Sequence, residues 1–229
     1  MDFFKHSFME LAGWRDIEKY LSDGISPVCA TGLSHIHKAQ LLYTLSGKTG
    51  FLVVTDSEAE AKRLCDNINT MAQSSRLAML YPAREIFLTS AEGMSRDYEH
   101  QRIEALSAVL SGECRVLAAS AEAVMQPAIP PDVLSGHTLT IKSGSQLDLK
   151  EFKTRLVNMG YVRSDKVEGP SQFSVRGAIV DIFPVQSEFP VRIELWGDDV
   201  DSIAYFDPET QRRTERAGEF RIAPAIETI

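Results

Sequence analysis

Cysteine is scarce in this chain, and the cysteines that occur have no metal or redox spacing. Cys29, Cys65 and Cys114 are the three cysteines among 229 residues, and they lie far apart. Their odd number and wide separation argue against a disulfide framework and a Cys-rich zinc site, so we predict no metal site. Cys29 and Cys114 stand in apolar stretches and are predicted to be small core residues. A reducing cytoplasm is the compartment that this usage favours.

Long apolar runs and an excess of positive charge are also missing. No run approaches the ~20 residues of a membrane span. The N-terminus has no basic segment followed by an apolar one, so neither a membrane contact nor a signal peptide is expected. The chain has 24 Lys and Arg against 32 Asp and Glu, a net charge of −8. Because nonspecific nucleic-acid binding needs a basic footprint, this balance argues against it, although it is compatible with a local basic patch.

Enough apolar sequence is present to build a core, with hydrophobic residues at 44%. In residues 1–126, short apolar runs alternate with helical patterns. Helices are predicted over 34–46 and 97–111, and Ser57 with Glu60 has the spacing of a capping box at the start of another. The predicted strands are 26–31, 51–55, 77–81 and 115–119. Strands that alternate with helices predict an α/β domain with a parallel sheet covered on both faces.

The pattern changes in residues 126–131, where three prolines predict a domain boundary. Residues 132–215 are predicted to form a smaller α+β domain with an antiparallel sheet. Its one helix has capping-box spacing at Asp148 and Glu151. Its strand-like runs, separated by turn clusters, are 137–142, 161–167, 172–183, 190–196 and 201–206. Residues 216–229 are predicted to begin a segment that returns to the first domain.

The first predicted strand ends where a nucleotide-binding loop would stand, but this loop lacks the necessary residues. Such a loop uses Lys to contact the β- and γ-phosphates and Ser or Thr to ligate Mg²⁺. Aligned from Thr31 and Gly32, those positions hold His35 and Ile36. His35 and His37 point apart on a helix and cannot share a metal ion. We therefore predict a degenerate loop that holds no nucleotide cofactor, and a chain without catalytic residues.

The predicted strand 190–196 alternates between aliphatic and polar positions. Val, Ile and Leu at positions 191, 193 and 195 must cover the core, because side chains two residues apart share a face of a strand. If the strands pair as a meander, arginines of the preceding strands join the opposite, polar face. Trp and Arg are the residue types most enriched in interface hot spots, so this face is predicted to bind a partner. The predicted partner-binding residues are Arg163, Arg176, Arg192, Glu194 and Trp196.

A structural interpretation of the same residues stays open at this point. In that interpretation Trp196 is half covered by neighbouring loops, and the arginines pair with Glu194 and Asp165. A tryptophan packed into the core would contribute to the stability of the fold, and its truncation would weaken binding only through unfolding.

Three segments of the second domain resemble the UvrB-homology region of bacterial nucleotide-excision repair proteins. They are Arg-Gly-Ala-Ile-Val-Asp-Ile-Phe-Pro at 176–184, Arg-Ile-Glu-Leu-Trp-Gly-Asp-Asp-Val-Asp-Ser-Ile at 192–203 and Phe-Asp-Pro-Glu-Thr-Gln-Arg at 206–212. The resemblance covers most of residues 137–215. The first half matches more weakly, through Thr31, Gly32 and residues 82–85.

Two families share this region, and the first half distinguishes them. The UvrB helicase keeps an intact nucleotide loop, whereas the transcription-repair coupling factor (Mfd) has lost it, as this chain has. Residues 83–102 are also too short and too poor in tyrosine for the hairpin with which UvrB handles damaged DNA. The chain therefore resembles the N-terminal UvrB-homology region of the coupling-factor family.

The resemblance implies a division of labour between the two domains. The first would be a vestigial helicase-like domain with a degenerate nucleotide loop. The second would dock the UvrA ATPase through Arg176, Arg192 and Trp196, with Arg163 and Glu194 as neighbours. The chain would then be a non-catalytic module that recruits UvrA to stalled RNA polymerase. RNA polymerase, DNA and ATP would be contacted by a downstream motor outside this chain.

Ser174 departs from the UvrB pattern, which has an arginine at this position, so part of the contact set is in doubt. Two alternative functions also stay open. One is a fragment of an ATP-dependent UvrB-like helicase with an unusual loop, and nucleotide binding would favour it. The other is a damaged-DNA-binding protein, and steeply salt-dependent DNA binding would favour that.

Overall fold

The computed structural model describes residues 3–84 and 96–228, and the chain divides into two compact units. One unit consists of Met1–Ala83 and Ser111–Gln126, and the other of Arg84–Leu110 and Pro127–Ile229. Most of the predicted helix 97–111 therefore groups with the second unit, although it precedes the proline-rich segment. Residues 85–95, within the segment compared with the UvrB hairpin, lie outside the described residues. None of the described helices is long and apolar enough to cross a membrane.

The first unit is built on a small parallel sheet. Its elements are helices α1 (Phe3–Met9), α2 (Trp14–Ser22), α3 (His35–Ser46), α4 (Glu58–Ala72) and α6 (Ala121–Met125), and strands β1 (Phe51–Thr55), β2 (Ala78–Tyr81) and β3 (Val116–Ser120). The strand order is β1-β3-β2, and both pairings are parallel. Ala61, Leu64 and Ile68 of α4 pack in the core with Val116 and Ala118 of β3. The parallel α/β sheet predicted for this half of the chain is confirmed. Its predicted covering on both faces fails along β1, where Leu52 and Val54 are more than half exposed.

The local signals at the helix starts are confirmed, whereas the first predicted strand is wrong. The Ser57 hydroxyl accepts a hydrogen bond from the Glu60 amide at 3.3 Å, as the capping box requires. Residues 26–31 pair with no strand of the described chain and are almost wholly exposed. An apolar run becomes a strand only when a neighbour accepts its backbone, and Pro27 has no N–H to donate. Cys29 is accordingly exposed, against prediction, while Cys114 is buried as predicted.

The second unit contains a larger, mostly antiparallel sheet. Its elements are helices α5 (Asp97–Ser111), α7 (Pro131–His137) and α8 (Leu149–Asn158), and strands β4 (Leu139–Lys142), β5 (Val162–Arg163), β6 (Gln172–Arg176), β7 (Ile179–Ile182), β8 (Val191–Trp196), β9 (Asp199–Phe206), β10 (Arg213–Arg216) and β11 (Glu219–Ile222). Six strands follow the order β10-β9-β8-β7-β6-β5, and β11 pairs with β4. All pairings in the six-stranded sheet are antiparallel except β5 with β6.

Two predicted strands of the second unit differ from the structure, and the single helix predicted for residues 132–215 is joined there by a second helix, α7. The run 161–167 is regular only in β5, and the run 172–183 is two strands joined by a tight turn at Gly177 and Ala178. Gly177 has a φ of +59°, a conformation that glycine adopts without the steric cost of a Cβ. The turn signal was a single glycine inside an apolar run, which also fits an uninterrupted strand.

One face of the six-stranded sheet carries the core of the second unit. Val191 and Ile193 of β8 contribute to this core, and Phe152 and Leu156 of α8 are buried in the same cluster. The Asp148 carboxylate caps α8 by accepting hydrogen bonds from the amides of the next turn at 2.8 and 2.9 Å, which confirms that helix start. In the tail, for which a return segment is predicted, β11 pairs with β4 of this same unit. The opposite face of the large sheet is therefore the one that can present polar side chains.

Candidate partner-binding face

Strand β8 separates the core from the polar face as its alternation predicts. Val191, Ile193 and Leu195 are buried, whereas the residues between them point to the other side of the sheet. Trp196, at the end of the strand, is 82% exposed. The interpretation that loops half cover this indole is therefore wrong. A large aromatic side chain in open solvent is a feature of binding surfaces rather than of cores.

The strand register brings residues of three strands onto this face. Arg192 lies opposite Asp181 of β7, and Asp181 lies opposite Ser174 of β6. Ile179 of β7 likewise lies between Arg176 of β6 and Glu194 of β8. Because directly paired residues share a side of the sheet, these side chains form one surface. The surface, called here the partner-binding face, comprises Ser174, Arg176, Ile179, Asp181, Arg192, Glu194 and Trp196.

Asp181 holds the two arginines of this face together. Arg192 donates to it twice, from Nε to Oδ1 at 2.6 Å and from Nη2 to Oδ2 at 2.8 Å. Arg176 donates from Nη2 to Oδ2 at 2.6 Å. The carboxylate side chain is 1% exposed, while those of Arg192 and Arg176 are 14% and 53% exposed. These three residues are the Asp181 cluster, a buried carboxylate with one inner and one outer arginine.

Arg192 is fixed from several sides at once. Its guanidinium carbon lies 4.6 Å from the ring centroid of Phe206, which packs with Val167 and Phe183 in a small apolar cluster. The hydrogen bonds to Asp181 raise the pKa of Arg192, against the opposing effect of burial. Arg192 therefore stabilises the partner-binding face from within and offers little free guanidinium surface to a partner.

Glu194 is paired within the sheet, with a hydroxyl and an arginine of the neighbouring strands β9 and β10. The Ser202 hydroxyl donates to its Oε2 at 2.8 Å, and Arg213 of β10 forms an ion pair with its Oε1. The side chain is partly exposed. Glu194 lies between the Asp181 cluster and Trp196 along the face, and its charge is balanced locally.

Two predicted features of this face have a different setting in the structure. Arg163 lies opposite Phe173, so it belongs to the other side of the sheet from Ser174 and Arg176, and it is exposed at the edge strand β5. Ser174, the position at which UvrB has an arginine, is buried and donates to the Asp165 carbonyl at 3.0 Å. The structure therefore brings four of the five predicted residues together and leaves Arg163 apart.

Asp181 is the residue of this face that sequence reasoning missed, and the hairpin explains why. In one continuous strand 172–183, Asp181 would share the side of Phe173, away from Arg176. A two-residue turn at 177–178 reverses that parity, because Arg176 then faces Ile179 directly. The available signal was the charge itself, since a carboxylate inside an apolar strand needs a partner when it is buried.

The degenerate loop of the first unit leads into helix α3, which begins at His35. Gly32 has a φ of +76°, and Ile36 is exposed. His35 Nδ1 lies 3.5 Å from a Glu60 carboxylate oxygen and 2.9 Å from Arg63 Nη2. These three residues line a cavity of about 450 Å³ beside β1. Within the described chain, no cluster of three His, Cys, Asp or Glu side chains could hold a metal ion.

Comparison with known proteins finds relatives over the whole chain. Residues 139–227 match the model of the UvrB interaction domain. The chain is 30% identical over 231 residues to the transcription-repair-coupling factor of Bacillus subtilis, an alignment that covers 100% of this chain and 20% of the relative. The protein of the same name from Staphylococcus epidermidis is 32% identical over 208 residues, covering 90% of this chain and 18% of the relative. The chain thus spans about a fifth of the length of these curated relatives.

Proposed function

The chain belongs to the family of UvrB-homology regions found in transcription-repair-coupling factors, and from this premise we propose that it is a non-catalytic module that recruits UvrA. UvrA is the partner implied by the likeness to UvrB. The observation that carries the proposal is the pair of exposed side chains, Trp196 and Arg176, on the partner-binding face, which lies inside the segment that matches the UvrB interaction domain. This face supports a binding role because it presents an exposed aromatic side chain and a half-exposed arginine on one side of a sheet.

Trp196 has the properties of an interface anchor. Its indole is exposed at the end of a strand whose other residues are held by the sheet, so it is presented on a rigid support. Burial of a tryptophan against a partner removes a large apolar area from water at a small cost in side-chain freedom. The half-exposed guanidinium of Arg176 adds hydrogen-bond donors to the same face. An apolar anchor and a cation on the same face suit a partner with a hydrophobic pocket and an acidic rim.

The first unit, on this proposal, is a helicase-like domain that has lost its nucleotide chemistry. The lysine position is occupied by His35, which is engaged with Glu60 and Arg63, and the hydroxyl position by Ile36. This chain would then work without a cofactor in the cytoplasm. ATP hydrolysis and contacts with RNA polymerase and DNA would belong to other parts of a longer coupling factor.

The experiment that tests the proposal measures the binding of purified UvrA to this chain and to Trp196→Ala. We expect the variant to lose about 2 kcal/mol or more of binding free energy, the usual scale of a hot spot, because the indole is the largest exposed anchor. The thermal unfolding midpoint should stay at the wild-type value, because truncation of an exposed side chain removes little packing.

Phe189→Ala is the matched control, since Phe189 is an exposed aromatic residue that precedes the other end of β8. It should bind UvrA as the wild type does. Wild-type affinity in Trp196→Ala would contradict the assignment of the face. Absence of any binding by the wild-type chain, together with tight binding of Mg-ATP or of DNA, would replace the proposal with the helicase or the DNA-binding alternative.

A further inference from the structure

The two arginines of the Asp181 cluster do not use its carboxylate equally. Arg192 occupies both carboxylate oxygens and is closed off by the Phe206 ring and by the Gln211 carbonyl, which lies 3.4 Å from its Nη1. Arg176 contacts the carboxylate through Nη2 alone, and more than half of its side chain is exposed. The carboxylate therefore holds one arginine inside the sheet face and one at its surface.

The charges of this cluster leave one positive charge in excess. Arginine stays protonated in proteins, so the two guanidiniums carry two positive charges against the one carboxylate. Because Arg192 is mostly buried and doubly hydrogen-bonded to Asp181, the excess charge is presented to solvent by Arg176. A guanidinium has five N–H donors, and Asp181 takes one of those on Arg176. The rest of this group is suited to a carboxylate on a partner.

A held arginine is a better contact than a free one. A long side chain on an exposed strand end samples several rotamers, and a partner that fixes it reduces that freedom at a cost in affinity. The contact between Arg176 and Asp181 imposes the restriction before the partner arrives. The carboxylate is itself immobile, because it is buried and fixed by Arg192.

We propose that Asp181 is a positioning residue of the partner-binding face, whose carboxylate holds the Arg176 guanidinium in place to receive an acidic group of UvrA. The inference rests on the proposed function, because UvrA is the partner whose binding it explains. Asp181 itself is too deeply buried to touch a partner, so it acts on affinity through the arginines that it holds, of which Arg176 is the one exposed to a partner.

The test uses Asp181→Asn, which keeps the size of the side chain and removes its charge. Calorimetry with UvrA and the full chain should show an affinity at least about ten-fold weaker than that of the wild type. Asp201→Asn is the matched control, because Asp201 is an exposed aspartate on β9 of the same sheet, and its affinity should be unchanged. If the wild type binds UvrA and a folded Asp181→Asn binds equally well, the inference is overturned while the proposed function stands. If the wild type does not bind, the proposed function itself fails.

A double-mutant cycle separates positioning from a general structural effect. In the Arg176→Ala background, Asp181→Asn should weaken UvrA binding by less than about two-fold, because the group that it positions is already gone. A second ten-fold loss in that background would overturn the inference, since the carboxylate would then act on the sheet as a whole. The side-chain ¹⁵N spectrum of the free protein gives an independent readout: the Arg176 N–H signals should exchange with water faster in Asp181→Asn than in the wild type.

Asp181→Asn also leaves the inner guanidinium without its carboxylate, so the fold of this variant is checked by thermal unfolding. The variant that combines Asp181→Asn with Arg192→Gln removes both buried charges and keeps neutral hydrogen-bonding groups in their place. It should unfold near the wild-type temperature and still bind UvrA at least ten-fold more weakly. Wild-type affinity in this folded variant would contradict a role for Asp181 in positioning Arg176.

Discussion

Two buried carboxylates of the second unit each hold two arginines, yet their surroundings give them different roles. Glu227 accepts hydrogen bonds from Arg102 Nε at 3.0 Å and from Arg84 Nε at 2.6 Å. The Arg102 side chain is completely buried and also donates to the Pro127 carbonyl at 2.9 Å. These contacts join residues 125 and 143 positions apart in the sequence. The Glu227 cluster, which consists of Arg84, Arg102 and Glu227, is a clamp that ties helix α5 to the tail of the chain.

The Asp181 cluster has the same chemistry in a different setting. Its partners are 5 and 11 positions from the carboxylate, on adjacent strands that the sheet already holds together. Its outer arginine is about half exposed, and an exposed tryptophan lies on the same face. A carboxylate with two arginines therefore does not by itself indicate a binding site. The outer arginines of the two clusters differ little, since the side chains of Arg84 and Arg176 are 37% and 53% exposed. Complete burial of the inner arginine and a long sequence distance between the partners are therefore what mark the clamp.

The largest effect that this comparison predicts is on stability, at the Glu227 cluster. Arg102→Ala should lower the free energy of unfolding by about 3–5 kcal/mol, because it leaves a buried carboxylate without its inner partner. Urea denaturation of the chain measures this effect. Lys142→Ala, which breaks an exposed ion pair with Glu219 in the same unit, is the control and should leave the denaturation midpoint unchanged. A variant of Arg102 as stable as the wild type would show that the cluster is no clamp.

The next effect distinguishes the inner and outer arginines of the Asp181 cluster. Arg176→Ala should weaken UvrA binding by about 2 kcal/mol and change the free energy of unfolding by less than about 0.5 kcal/mol, because its side chain projects from the surface. Arg192→Ala should instead lower the free energy of unfolding by about 1–3 kcal/mol, because a buried carboxylate loses its two-bond partner. Calorimetry with UvrA and urea denaturation of both variants provide the two measurements. Equal losses of stability in the two variants would show that Arg176 and Arg192 do not differ in their contribution to the fold.

The sequence predicted the parts of this picture that depend on short periods. Strand β8 follows its period-two pattern, and the capping signals at Ser57 and Asp148 lie where their helices begin. The clusters escaped prediction because each depends on geometry that no local pattern records. A tight turn at Gly177 decides on which side of the sheet Asp181 lies.

Long-range pairing is equally invisible to a local pattern. Arg102 and Glu227 are separated by 125 positions, and no spacing rule links them. Arg163 shows the converse error. It was expected on the partner-binding face because its strand precedes β6, but the parallel pairing of β5 sets it opposite Phe173. Residues 26–31 show that apolar composition alone does not supply a neighbouring strand.

The smallest predicted effect is a pH dependence that belongs to the region of the clamp and not to the partner-binding face. His100 lies on α5, next to the tail, and burial lowers its pKa below the ordinary value of 6.5 despite a hydrogen bond with the Ala225 backbone. Between the folded pKa of His100 and pH 6.5, this histidine is mostly protonated in the unfolded chain and mostly neutral in the folded chain. The contribution of the neutral His100 to the free energy of unfolding is therefore fully present above pH 6.5 and is lost as the pH falls through the folded pKa of His100. The loss has a slope of at most about 1.4 kcal/mol per pH unit, the value for one proton.

His100→Asn should flatten this dependence between pH 7 and pH 5, because asparagine does not bind a proton as the pH falls through this range. His137→Asn, on an exposed histidine of the same unit, is the control and should keep the wild-type slope. Urea denaturation at a series of pH values measures both. The exposed Asp148, Asp207 and Glu219 have lowered pKa values, so their protonation affects stability in a more acidic range than that of His100. An unchanged slope in His100→Asn would show that the clamp region does not sense protons, and would leave the difference between the two carboxylates a matter of burial and sequence distance alone.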